Sequence, residues 1–234
     1  MATLILALDR PDAVQALDLV DRLGDDADFY KVGAELFTAA GPRVIAELRE
    51  RGKRVFLDLK YHDIPNTVAS AVRAATSLGV DLLTVHASGG ESMLRAAAEA
   101  GNEGGPRIVA VTLLTSLAPG EVERVWGRSI DSLRPEVDRL AALAVDCGLA
   151  GIVASPLEVE AVKRRFGTRC LVVTPGVRPA GAAADDQTRT ASAGDAARAG
   201  ADYLVVGRPV HAAPDPVAAL HALRDELALA SRVA

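Results

Sequence analysis

The sequence predicts an α/β fold: a single (β/α)8 TIM barrel of eight parallel strands, one domain over residues 1–234. Eight apolar runs of strand length alternate with helical patterns from end to end. A glycine-led phrase recurs three times, and 234 residues suit one such barrel.

The apolar runs cover 4–8, 29–33, 54–59, 82–86, 108–113, 151–154, 171–174 and 203–206. Most are rich in Val, Ile and Leu, as expected of parallel strands buried on both faces. Helical patterns lie between them at 12–23, 43–51, 67–78, 92–100, 135–147, 157–166 and 191–199, and a last helix over 216–229 ends the series. The repeated phrase is Gly79-Val-Asp-Leu-Leu-Thr-Val-His86, Gly148-Leu-Ala-Gly-Ile-Val-Ala-Ser155 and Gly200-Ala-Asp-Tyr-Leu-Val-Val-Gly207. Each glycine follows an Ala-rich helix, where a left-handed residue ends the helix and a short turn feeds the next strand. Two connections are long: 114–126, read as a loop, and 175–190, rich in Gly, Ala and Asp. Both leave C-terminal strand ends, where barrel active sites form, and the second is a candidate lid.

Only 3% of residues are aromatic, so the core is expected from Val, Leu, Ile and Ala. A net charge of −5 gives no overall field for nucleic acid or an anionic membrane. An anionic substrate must then be held by a few local cations. Cys147 and Cys170 have neither zinc-site nor redox-pair spacing and read as buried thiols of a reducing compartment. No apolar run approaches the ~20 residues of a membrane span, and the opening MATLILALDR is too short for a signal peptide. A soluble, cytoplasmic protein is expected.

Charges at the strand ends carry the chemistry. In Val55-Phe-Leu-Asp58-Leu-Lys60, alternation puts Asp58 and Lys60 on one face, with Leu57 and Leu59 on the other. Asp9 follows the first strand, and Lys31 lies within the second. Three strands thus bring Asp, Lys and an Asp-x-Lys pair to one end of the barrel. Such a cluster is costly unless its members are paired or used. Asp63 stands before a helix that Pro65 should start, which leaves it short of the cap position. Capping and a role with another partner both remain open for it.

The segment Asp58-Leu-Lys60-Tyr-His-Asp63-Ile-Pro-Asn-Thr67 resembles the signature of the orotidine 5′-phosphate decarboxylases. The resemblance extends to Ala7-Leu-Asp9, Lys31-Val-Gly33, Val85-His-Ala-Ser-Gly89, Leu114-Thr-Ser116, Thr174-Pro-Gly-Val-Arg178 and Val206-Gly-Arg-Pro-Val210. Asp-x-Lys-x-x-Asp alone also occurs in related phosphosugar barrels. The Ile-Pro-Asn-Thr, Pro-Gly-Val-Arg and Gly-Arg-Pro elements make the narrower likeness.

The resemblance implies a homodimer that decarboxylates orotidine 5′-phosphate to uridine 5′-phosphate without cofactor or metal. It implies that Asp9 and Lys31 hold ribose hydroxyls, with Lys31 also positioning the charge network as a catalytic residue, that Asp58 faces the departing carboxylate, and that Lys60 protonates C6. Asp63 and Thr67 would reach the neighbouring subunit's site. Thr115 and Ser116 would meet the pyrimidine edge, while Arg178, Gln187, Gly207 and Arg208 would serve the phosphate and its lid.

His62, His86, His211 and His221 form no cluster of metal-ligand spacing and read as structural, with His86 close enough to touch the site. Two rival functions stay open at this level. One is a Mg²⁺-dependent phosphosugar decarboxylase or aldolase barrel; the other is a barrel that binds nucleotide without chemistry.

Overall fold

A computed structural model describes residues 2–102, 104–177 and 191–232. Eight parallel strands close a barrel in chain order: β1 (Thr3–Ala7), β2 (Phe29–Gly33), β3 (Arg54–Tyr61), β4 (Leu82–His86), β5 (Arg107–Val111), β6 (Gly151–Val153), β7 (Leu171–Thr174) and β8 (Tyr203–Val206). β1 pairs with both β2 and β8, which closes the barrel sheet on itself.

The helices are α1 (Ala13–Leu23), α2 (Ala34–Ala40), α3 (Arg43–Glu50), α4 (Pro65–Ser77), α5 (Glu91–Gly101), α6 (Pro119–Trp126), α7 (Arg134–Asp146), α8 (Val159–Phe166), α9 (Ala193–Arg198), α10 (Arg208–His211) and α11 (Pro216–Arg232). The three phrase glycines have positive φ of 71°, 84° and 101°, in keeping with their expected place between helix and strand.

Strand alternation divides the core in two. Leu6, Tyr30, Val32, Leu57, Leu83 and Val85 pack outward among the helices. Ile5, Ala7, Phe29, Phe56, Leu82, Val109, Val173, Tyr203 and Val205 fill the interior. The interior therefore uses aromatic rings, where aliphatics alone were expected. Their bulk complements small residues such as Ala7, as a tapering barrel demands. Phe29 and Tyr203 meet edge to face at 6.0 Å, with the Arg54 guanidinium 4.4 Å from the Phe29 ring centre.

Three helices depart from the expected pattern. α6 occupies the stretch read as loop: Pro119 suits a first turn, and Glu121 Oε2 accepts the Ala118 N–H at 2.8 Å. α2 and α10 span seven and four residues, too short for a periodic apolar signal.

Candidate active site

A cavity of about 640 Å³ opens at the C-terminal ends of the strands. Ala7, Phe56, Val153, Val173 and Val205 line its apolar base, continuous with the barrel interior. Asp9, Lys31, Asp58, Lys60, Thr115, Ser116, Gly207 and Arg208 line the same cavity. Eight residues singled out from the sequence therefore converge on one space.

The four charges form an alternating chain. Lys31 Nζ lies 2.9 Å from Asp9 Oδ1 and 3.8 Å from Asp58 Oδ2, and Lys60 Nζ lies 2.8 Å from that same Asp58 oxygen. Strand register sets this up, because Ala7 is level with Lys31 and Gly33 with Asp58. Asp58 and Lys31 keep only 13% and 12% side-chain exposure, against 36% for Lys60. The inner pair is thus nearly desolvated, and Lys60 presents its ammonium to the cavity. Two anions and two cations balance, which makes the burial tolerable. Gly33 provides room: a Cβ there would stand 2.8 Å from Lys31 Nζ.

β3 reaches this arrangement irregularly. Its register against β4 runs from Leu57 opposite Leu83 to Tyr61 opposite Val85, so Asp58, Leu59 and Lys60 face the single residue Thr84. Lys60 has φ 51°, the one left-handed non-glycine residue among those described. Bulges and sparsely populated backbone of this kind re-aim side chains next to sites. Thr84, fully buried, accepts the Lys60 N–H at 2.9 Å and donates to Asp58 Oδ1 at 3.0 Å. Sequence reasoning passed over Thr84. The available signal was a hydroxyl at an inward position two residues after Leu82, since buried hydroxyls need partners.

Asp63 and Thr67 do not line the cavity. They border a separate hollow beside Leu59, Tyr61 and His62, and both are exposed. α4 starts at Pro65, as expected, and its N-cap position is Ile64, without a side-chain cap. Asp63 Oδ1 instead accepts the N–H of Ile64 at 2.6 Å, so Asp63 does not cap α4 through its first turn. Arg178 and Gln187, with the candidate lid, lie outside the described residues.

The histidines separate by position. His86 is half-buried, its ring centre 5.5 Å from that of His62; burial, then the His62 and Lys60 charges, holds its pKa below the usual 6.5. His221 pairs with Asp26 at 2.8 Å. His211 lines the cavity, and among the described residues its buried Nδ1 has no hydrogen-bond partner. Burial, then the Arg10 charge, lowers its pKa. His211 and Glu35 are cavity residues that the sequence did not distinguish; each falls in a helix too short to read. Among the described residues, no three His, Cys, Asp or Glu side chains gather as a metal-holding group.

The family model described as "Orotidine 5'-phosphate decarboxylase / HUMPS family" matches residues 2–223. The chain is 52% identical over 229 residues to the orotidine 5′-phosphate decarboxylase of Halorhodospira halophila, covering 97% of this chain and 96% of that one. It is 50% identical over 231 residues to the enzyme of that name from Moorella thermoacetica, covering 96% and 91%. The crystal structure of orotidine 5′-phosphate decarboxylase from Lactobacillus acidophilus superposes with a TM-score of 0.85 at 38% identity, covering 97% of this chain and 99% of the other.

Proposed function

The chain belongs to the orotidine 5′-phosphate decarboxylase / HUMPS family, and from that premise we propose that it converts orotidine 5′-phosphate to uridine 5′-phosphate, the last step of UMP synthesis. The observation that carries this reading is the Asp9–Lys31–Asp58–Lys60 chain above the apolar cavity base.

The chemistry needs no cofactor. Breaking the C6–carboxylate bond releases CO2 and leaves an electron pair on C6 that the ring delocalises poorly. A fixed ammonium beside C6 stabilises that charge as it develops. Lys60 then transfers a proton from Nζ to C6 and regains one from water. Asp58 orients Lys60 and stands against the substrate carboxylate, where repulsion eases as CO2 departs. An apolar base strengthens these electrostatic effects by keeping water from the reacting carbon.

Other residues bind and orient. Asp9 and Lys31 take the ribose hydroxyls; Thr115 and Ser116 take the pyrimidine edge. Gly207 and Arg208 follow β8, the usual phosphate position in barrels. Arg178 and Gln187 complete the phosphate contacts, and phosphate binding energy contributes to the rate. The protein acts as a cytoplasmic homodimer in which Asp63 and Thr67 serve the partner's site, consistent with their exposure outside their own cavity. No helix among the described residues is long and apolar enough to cross a membrane.

The test is product analysis. Purified protein incubated with orotidine 5′-phosphate should yield uridine 5′-phosphate and CO2 in equal amounts. Recovery of unchanged substrate from folded protein would refute the reading.

A further inference from the structure

We infer that Thr84 is a positioning residue for the decarboxylation, fixing the Asp58 carboxylate and the Lys60 backbone through one buried hydroxyl. The inference rests on the reading of the Asp58–Lys60 pair given above.

A hydroxyl has one proton to donate and lone pairs to accept with. Thr84 Oγ1 accepts the Lys60 N–H, so its own proton is free for Asp58 Oδ1. That bond occupies Oδ1 and leaves Oδ2 to face the two ammonium groups, Lys60 at 2.8 Å and Lys31 at 3.8 Å. The division of labour between the carboxylate oxygens is thereby set from β4.

The Lys60 end of the contact matters equally. Three β3 residues oppose Thr84 alone, so the regular ladder has no partner in register for the Lys60 amide. Left-handed backbone at a lysine is unfavourable and persists only where its surroundings hold it. The Thr84 hydroxyl supplies that hold and, being fully buried on a strand, is itself rigid. Side-chain length alone would let the Lys60 ammonium swing; the anchored amide and the oriented Asp58 confine it.

The experiment compares Thr84→Val, which keeps the shape without the hydroxyl, with Thr84→Ser, which keeps the hydroxyl. Turnover of orotidine 5′-phosphate and binding of uridine 5′-phosphate are measured for both and for wild type. Thr84→Val should lose roughly 10- to 100-fold in kcat, the scale of an ångström-sized misplacement. Its KM and nucleotide Kd should stay within about threefold, since binding groups elsewhere are untouched. Thr84→Ser should retain kcat within about threefold of wild type. Where Thr84→Val fails to fold, Thr84→Ala carries the same expectation. Wild-type kcat in a folded variant lacking the hydroxyl would overturn the inference, as would a serine variant as slow as the valine one. A loss shared by kcat and nucleotide binding would also overturn it, marking general disruption. An inactive wild type would strike down the functional reading and this inference together; an active one separates the two.

Discussion

Asp58 Oδ2 receives the ammonium of Lys60 at 2.8 Å, and both residues come from the one strand β3. A carboxylate and its cation delivered by one strand share its rigidity, and Lys31 from β2 braces the pair at 3.8 Å. Such preorganisation lets a charge network act without rearranging during the reaction.

Phosphate recognition can be separated from catalysis at the base. Arg208→Ala should reduce turnover of orotidine 5′-phosphate far more than turnover of the nucleoside lacking phosphate. A guanidinium–phosphate contact operates only when phosphate is present. Kinetics on both substrates decide it, and equal losses would place the effect of Arg208 in folding.

Four of the charges were legible because they break apolar strands: Asp9, Lys31, Asp58 and Lys60 sit where aliphatics would otherwise continue. Period-two alternation sufficed to put Asp58 and Lys60 on the cavity side and Leu57 and Leu59 among the helices. It gave no warning of the register shift or of the left-handed Lys60, which depend on pairing with β4. Thr84 stayed hidden because threonine is an ordinary strand residue. His211 and Glu35 lie on helices of four and seven residues, below the length at which periodicity speaks. α6 was masked by Pro119-Gly120, which mark loops as readily as helix starts.

Half-buried histidines predict acid sensitivity. His86 has a folded-state pKa below 6.5, chiefly through burial. The unfolded chain therefore binds that proton more readily, so the His86 contribution to stability is complete above pH 6.5 and is lost as pH falls through the folded value. His211 has the same sign. We expect His86→Gln to lose less Tm than wild type between about pH 7 and about pH 5. Parallel loss in the two proteins would contradict this.

The dimer reading is tested by mixing inactive Lys60→Ala and Asp63→Ala proteins after mild dissociation. Random exchange makes about half the dimers hybrid, and one site of each hybrid pairs a normal Lys60 with a normal Asp63 from across the interface. Activity should recover to about a quarter of wild type when sites act independently. No recovery despite verified exchange would assign Asp63 to its own subunit.

Lys60 chemistry is tested most directly by the fall in absorbance when EDTA-treated protein meets orotidine 5′-phosphate, run beside Lys60→Ala. Wild type should turn over at an undiminished rate after EDTA, and Lys60→Ala should show no turnover while still binding uridine 5′-phosphate. A wild-type rate that vanishes with EDTA and returns with Mg²⁺, or a Lys60→Ala protein keeping about a tenth of wild-type turnover, would contradict the assignment of Lys60 as the group that stabilises and protonates C6.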